Sequence, residues 1–394
     1  MDALWRDQKV FGFGADPFNP HAARPVEIVG GLKKNELRTR VIQSCPRVPG
    51  VYGMLDRKGQ LIYVGKSKSL RSRLLSYFAD SNADEKGGRI IENARAIQWE
   101  TQPSEFASLL REQQLIRLFQ PRWNVQGMPN RKRPVYLCLG RQPAAYFFLA
   151  ATVPDNCVAL EGPFYGAKRM RLAVDALNKM FLLRDCSQKQ VFNFAEQLQL
   201  FNLDHRPGCL RLEIGTCLGP CAAACTRAEY DRQVNAAESF LDGFNDEPIT
   251  MMRDKIDQAV SNMQYELAGR FTETLKSVEY VHRSLRRLAK ARNDFTFIYA
   301  VPGYDGCNTW YLVHCGEIAA VTSAPRDSEQ YAALKPTLKH WKATTANTLA
   351  RGLGAYPHTL AIVASWFRKN KPELKRTFTP QQAGRKYRGK LRTT

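Results

Sequence analysis

The sequence predicts an α+β chain. A small three-stranded antiparallel sheet with helices comes first, then a cysteine-rich segment, a helical hairpin and a small β-rich C-terminal region. Three observations predict it. Between Pro49 and Phe78 an apolar alternation gives way to a helical period, so two strands close onto a helix. Five cysteines, Cys186, Cys209, Cys217, Cys221 and Cys225, crowd into one segment. From about Thr226 to Leu288 the chain reads helical, and between Phe295 and Ser323 it returns to alternation.

Residues 1–44 read as an extension. Phe11–Gly14 and Asp16–Pro20 carry turn chemistry, and Asn35–Ser44 a short amphipathic helix. The first module, 45–128, opens with a strand at Gly50–Leu55, turns at Asp56–Gly59 and returns along Leu61–Val64 to Gly65. Leu70, Leu74 and Phe78 then share one stripe of a helix that also carries Arg71 and Arg73. Asp80–Gly88 is polar and reads as a loop, Arg89–Ala96 as a helix and Ile97–Thr101 as the third strand. Ser104 is placed to cap an amphipathic helix reaching Phe119, with Phe106, Leu109, Leu110, Gln113, Leu115 and Ile116 near its buried side and Glu112 within it. Segment 129–185 begins with the basic run Arg131-Lys132-Arg133, placed to contact phosphates as Lys68 and Arg71 are. It continues with strands at Val135–Leu139 and Tyr146–Ala151 and a helix from about Arg169 to Phe181. A cysteine-rich segment (186–240), the helical hairpin (241–290), the β-rich segment (291–345) and a basic region (346–394) complete the chain. The cations from Arg368 to Arg392 face only Glu373. Such a tail is expected to be disordered and to attract a phosphate backbone without reading sequence.

Charge narrows the partner. Lys and Arg number 58 against 37 Asp and Glu, a formal net charge of +21, which favours nucleic acid over a membrane. No apolar run is long enough to span a bilayer, and the N-terminus lacks the pattern of a secretory signal. A reducing, cytoplasmic compartment is therefore expected, in which clustered cysteines bind a metal or cluster rather than form disulfides. Four thiolates can close around zinc or hold an iron–sulfur cluster, and Gly219-Pro220 would turn the chain between two of them. Spacing does not separate the two. Cys45, Cys138, Cys157, Cys307 and Cys315 are scattered and read as ordinary buried thiols.

Gly50-Val51-Tyr52 and Tyr63-Val64-Gly65 resemble the paired signature of GIY-YIG nucleases. The longer string Tyr63-Val64-Gly65-Lys66…Arg73-Leu74…Tyr77-Phe78 resembles the UvrC-type excision-repair branch. So does Ser104-Glu105…Glu112…Pro121-Arg122-Trp123-Asn124-Val125. The resemblance implies that Glu112 is the ligand of a catalytic Mg²⁺ or Mn²⁺ and that Asn124 is a further site residue. It implies Tyr63 as general base, Lys66 as a source of positive field beside it, Arg73 neutralising the phosphate, and Tyr52 and Tyr77 positioning water or phosphate. Cys217-Leu218-Gly219-Pro220-Cys221 is similar to the same family, where the implied cofactor is a four-iron (4Fe-4S) cluster. Cys186, Cys209, Cys217 and Cys221 are then the expected ligands, with zinc as the alternative occupant. The gap between Cys186 and Cys209 is longer than usual for the family, and Cys225 is a fifth candidate. Ile249–Tyr280 resembles the UVR helical hairpin, which implies a UvrB-like helicase partner met through Tyr265 and Glu266. Here the chain departs from the family at Ala268-Gly269 and Thr272-Glu273.

The implied activity is a single incision, on the 3′ side, near lesions in double-stranded damaged DNA during nucleotide excision repair. Between Asp294 and Thr394 the acids are scattered, so no second, two-metal active site is expected. The rival readings are a non-catalytic DNA-binding adaptor bridging a repair partner and a mobile-element nuclease on the same fold. Intact Tyr52, Tyr63, Arg73, Glu112 and Asn124 weigh against the first, and the cysteine and hairpin segments against the second.

Overall fold

The structure is a computed structural model that describes residues 12–21, 24–30, 33–79, 86–126, 134–152, 154, 157–186, 192–197, 208–346, 356 and 358–386. Its contacts divide the chain into two units, Met1–Asn130 with Ala291–Thr394, and Arg131–Lys290.

The first unit begins with β1 (Val26–Gly30), α1 (Lys34–Ser44), β2 (Gly50–Leu55), β3 (Leu61–Ser67), α2 (Leu70–Ser76), α3 (Lys86–Asn93), β4 (Ala96–Thr101), α4 (Glu105–Phe119) and α5 (Arg122–Gln126). Its antiparallel sheet runs β1-β4-β2-β3. Every residue of β2 is buried, which is why Gly-Val-Tyr-Gly-Met-Leu carries no polar alternation. The β2–β3 turn forms because Asp56 accepts from the backbone N–H of Lys58 and Gln60, at 2.9 and 3.0 Å, while Gly59 takes φ +74°. Ser104 caps α4 by accepting from Ala107 N–H at 3.1 Å.

Four strands, not the expected three, make this sheet. The added strand β1 comes from the extension and pairs with β4 from Val26↔Glu100 to Gly30↔Ala96. It is short, and Ile28 is half exposed, so its sequence lacks the alternation of a half-buried strand. Phe13, also from the extension, is buried in the cluster of Val51, Val64 and Leu115.

The second unit holds β5 (Pro134–Gly140), β6 (Tyr146–Ala150) and β7 (Cys157–Tyr165) in the order β6-β5-β7, followed by α6 (Ala167–Met180). Strand β7 was not expected from the sequence. Asn178 on α6 grips Phe147 of β6 through both its amide groups, at 2.8 and 3.0 Å. Helices α7 (Arg227–Leu241), α8 (Glu247–Ser261) and α9 (Tyr265–Asp294) follow. A reciprocal capping box of Thr226 and Glu229 starts α7. Helices α8 and α9 form a hairpin across a tight turn at Met263 (φ +58°), and Arg253 on α8 pairs with Glu279 on α9 at 2.8 Å. No helix among the described residues is long and apolar enough to cross a membrane.

The first unit resumes with β8 (Phe297–Val301), β9 (Thr309–His314), β10 (Glu317–Ser323), α10 (Ser328–Ala346), α11 (Thr359–Lys369) and β11 (Thr377–Phe378), in a sheet ordered β10-β9-β8-β11. Two expectations change here. The segment read as β-rich contains the 19-residue helix α10. The basic region expected to be disordered instead supplies a helix and an edge strand on β8. Its apolar residues explain the difference. Val363, Trp366 and Phe367 enter a core with Phe106, Tyr299 and Tyr311, and Trp366 Nε1 donates to Tyr299 Oη at 3.1 Å. Arg388, Lys390 and Arg392 lie outside the described residues.

Candidate active site and cysteine cluster

Strands β2 and β3 and helix α2 bring three tyrosines together. Ring centroids of Tyr52, Tyr63 and Tyr77 lie 6.0–6.2 Å apart, pair by pair. Tyr52 Oη and Tyr77 Oη are hydrogen-bonded at 2.8 Å, and Tyr63 bonds to Tyr77. Arg73 Nε donates to Tyr52 Oη at 3.4 Å, and its guanidinium stands 5.1 Å from the centroid of the Tyr77 ring.

Gly65 makes the arrangement possible. It faces Tyr52 across the ladder, and a Cβ there would stand 2.5 Å from Tyr52 Oη. Gly50 is required in the same way. A Cβ on it would sit 2.5 Å from the Glu100 carbonyl and 2.6 Å from Leu70.

Burial pushes all three phenols above the usual tyrosine range. At Tyr63 the neighbouring Tyr77 and the Glu112 carboxylate push the same way, and Arg73 opposes them. Glu112 therefore lies within electrostatic reach of Tyr63. It is half-buried on α4.

Other expected site residues are engaged differently. Lys66 Nζ binds Glu105 at 3.1 Å, and Lys68 binds the same carboxylate at 2.9 Å. Burial works against the Glu105 carboxylate, but the hydrogen bonds from Lys68 and Lys66 outweigh it and hold the group below the usual range. Arg71 Nε donates to the Cys45 carbonyl, which ties α2 to the start of the module. Asn124 is buried and spends both amide groups on one residue: Oδ1 accepts from Val64 N–H at 2.7 Å and Nδ2 donates to Val64 O at 2.8 Å. It fixes β3 beside Tyr63. Arg131, Lys132 and Arg133 lie outside the described residues.

Two residues near the site were not singled out in the sequence. Glu105 organises both lysines. Lys86 Nζ lies 5.9 Å from the Tyr63 ring centroid. The serine–glutamate start of α4 could have flagged Glu105. Lys86 sits in a stretch that reads as a polar loop, with no periodicity to expose it.

The second unit gathers thiols. Cys217, Cys221 and Cys225 are buried, and Cys186 and Cys209 half-buried. Gly219, at φ +70°, turns the chain into Pro220–Ala222, and its N–H donates to Cys217 Sγ at 3.4 Å. Burial pushes the Cys217 thiol up to about 11, and Cys186, Cys209 and Cys221 add to the rise. Cys221 is raised by burial, then by Cys209 and Cys186. Cys225 is pushed up to about 12 by burial, with Cys217 and Cys221 adding to the rise. Cys186, Cys209, Cys217 and Cys221 thus lie within electrostatic reach of one another. Among the described residues, no three His, Cys, Asp or Glu side chains converge as ligands of a single ion. Buried Arg184 backs the cluster, donating to the Ala144 and Cys186 carbonyls at 2.7 and 3.2 Å. The scattered cysteines differ from one another: Cys45 and Cys138 are buried, whereas Cys157, Cys307 and Cys315 are partly exposed. Tyr265 and Glu266 open α9 and are exposed.

The UvrC-like GIY-YIG domain matches residues 48–125, and the UvrC/Cho excinuclease middle domain matches residues 135–240. UvrABC system protein C of Actinobacillus pleuropneumoniae serotype 3 (strain JL03) is 34% identical over 244 residues, which cover 61% of this chain and 38% of the relative. That of Flavobacterium johnsoniae is 30% identical over 246 residues, 62% of this chain and 40% of the relative. The chain therefore spans well under half the length of the curated relatives it matches. The magnesium-bound GIY-YIG N-terminal endonuclease domain of UvrC from Thermotoga maritima is 33% identical, covering 24% of this chain and 100% of that one, with a TM-score of 0.22. Residues 48–125 thus match a UvrC-like GIY-YIG domain and residues 135–240 a UvrC/Cho excinuclease middle domain, and over that span the chain is similar to UvrABC system protein C.

Proposed function

We propose that the chain is a metal-dependent endonuclease that nicks double-stranded DNA once, on the 3′ side of a lesion, in nucleotide excision repair. The observation that carries this reading is the convergence of Tyr52, Tyr63, Tyr77 and Arg73 with Glu112 in electrostatic reach. Hydrolysis of a phosphodiester needs a positioned water, neutralisation of the phosphorane and help for the departing oxygen.

The donor set fits Mg²⁺ or Mn²⁺. Glu112 offers a hard carboxylate, and Mg²⁺ retains several waters while binding one or two carboxylates, so the lack of a three-ligand cage is no obstacle. When bound on Glu112, the ion supplies Lewis acidity to the scissile phosphate. Tyr63 orients the attacking water and, as the phenolate, having lost its own proton to solvent, accepts the water's proton. Because burial holds Tyr63 as the neutral phenol, that role requires positive charge nearby, and Arg73 is the side chain that lowers it. The contacts from Tyr63 to Tyr77 and on to Tyr52 hold the three phenols in place. Arg73 neutralises the phosphate. Lys66 acts through Glu105, fixing the end of β3 against the start of α4, and Asn124 holds β3 in register.

Cys186, Cys209, Cys217 and Cys221 would hold a 4Fe-4S cluster. Four cysteine thiols within electrostatic reach of one another are the soft donors that such a cluster takes, and zinc is the alternative occupant. The exposed tip of the α8–α9 hairpin, with Tyr265 and Glu266, is the surface for a UvrB-like partner.

A duplex carrying one lesion and a label on either strand tests the function. A single product mapping 3′ of the lesion with Mg²⁺ or Mn²⁺, and none with chelator, is expected. Salt-sensitive binding without cleavage under any metal would favour the adaptor reading instead.

A further inference from the structure

The second half of helix α9 bears a run of cations that the nuclease site does not use. Between Glu279 and Asp294 the helix contains no acid, yet it carries Arg283, Arg286, Arg287, Lys290 and Arg292. Its first half is of mixed sign, as a solvated helix face usually is; Lys276 and Glu273, for example, pair at 2.8 Å.

Geometry sorts these cations. Val281, His282, Leu285 and Leu288 form the buried side of α9. Tyr280, Arg283, Arg287 and Lys290 follow at i, i+3, i+7 and i+10, which places them on one stripe. The three cations of the stripe are exposed. Tyr280 links the stripe to α6, because the Arg169 guanidinium lies 5.7 Å from its ring centroid, with exposed Lys168 beside it. The nearest acid, Glu279, is held by Arg253 at 2.8 Å and reaches Arg283 only at 3.5 Å.

We propose that this surface is a track for the phosphate backbone of duplex DNA, separate from the tyrosine site. At about 1.5 Å of rise per residue, Tyr280 to Lys290 extends roughly 15 Å. That matches about four nucleotides of one strand at 3.4 Å each. The track has no buried polar recognition group, so it binds without reading sequence. The proposal rests on the reading that duplex DNA is the substrate, and binding without cleavage tests it separately.

The measurement is fluorescence anisotropy of a short labelled duplex with the full chain, metal chelated, across about 50 to 200 mM salt. In Arg283→Glu/Arg287→Glu the slope of log affinity against log salt should shrink by about two, and affinity at low salt should fall at least tenfold. Arg283→Gln/Arg287→Gln should lose the same slope with an unchanged Tm, which separates lost contacts from lost fold. A matched pair on other exposed cations of the same unit, Arg232→Glu/Lys255→Glu, should keep the wild-type slope. Loss of slope confined to the α9 pairs supports the track even if the wild-type protein nicks nothing. An unchanged slope in the α9 pairs, or an equal loss in the control pair, overturns it even if nicking is normal.

Discussion

At the scale of single residues, the site depends on an atom that is missing. Gly65 leaves room for the Tyr52 hydroxyl, which a Cβ would approach to 2.5 Å. Because the contact is with the hydroxyl end of a ring buried on every side, Tyr52 cannot simply swing away. Gly65→Ala should therefore cost about 1–3 kcal/mol of stability. A displacement of Tyr52 passes to Tyr77 and Arg73, so nicking should fall about a hundredfold. Thermal unfolding and a nicking assay on the variant check both; wild-type values in each would mean that Tyr52 does not need this space. The residue types of the site were legible in the sequence, because Gly50, Tyr52, Tyr63, Gly65 and Glu112 fall in a recognisable string. Their partners were not. Nothing local shows that Lys66 is taken by Glu105, 39 positions away, or that Asn124 spends its amide on Val64, 60 positions away.

At the scale of elements, α4 carries Glu112 and Arg111 side by side, and only Glu112 reads as functional. Arg111 is 1% exposed and organises the other face. It donates to the Gly14 and Ala15 carbonyls, each at 2.7 Å, and to Glu100 on β4 at 3.0 Å, with Asp16 at 3.8 Å. Arg111→Ala should cost about 3–5 kcal/mol, since it strands two buried carboxyls. Burial raises Asp16 and Glu100 above their ordinary values despite Arg111. Both therefore bind protons more readily in the folded state than in the unfolded one. Their contribution to stability is fully present below the ordinary carboxylate range, near about pH 4, and is lost as pH rises through the raised folded values. The Tm advantage of wild type over Glu100→Gln should shrink as pH rises through that window; an advantage that grew would contradict the assignment. The amphipathic period of α4 was legible, but the acids that bury its arginine were not, because Asp16 lies in what reads as a turn. The cysteine segment is the converse case. Its candidate ligand types and turn were legible from Cys217-Leu218-Gly219-Pro220-Cys221, and the turn is made by Gly219 at φ +70°. Anaerobically purified protein should show a visible iron–sulfur spectrum and contain iron. Strong zinc without iron would overturn the cofactor assignment.

At the scale of the whole molecule, the two ends of the chain join one unit. Phe18 packs with Phe106 and Tyr299, Arg24 pairs with Asp305, and His21 bonds Thr309 at 3.0 Å. The extension and the C-terminal sheet thus build on the same helix α4 that presents Glu112. This was illegible in sequence because pairings of such long separation leave no period and no local motif. The net charge of +21 pointed to nucleic acid but not to a surface. Part of the basic region folds as α11 with Arg368 and Lys369 exposed, and α9 is the surface proposed as a track. All of it serves one claim, that the tyrosine cluster with Glu112 is where this chain cuts DNA. Single-turnover nicking of a lesion-bearing duplex, with wild type, Tyr63→Phe and Glu112→Ala compared at equal DNA binding in Mg²⁺, tests that claim most directly. Losing the base or the metal ligand should slow nicking by about a hundredfold or more. Nicking at the wild-type rate by either variant would contradict it.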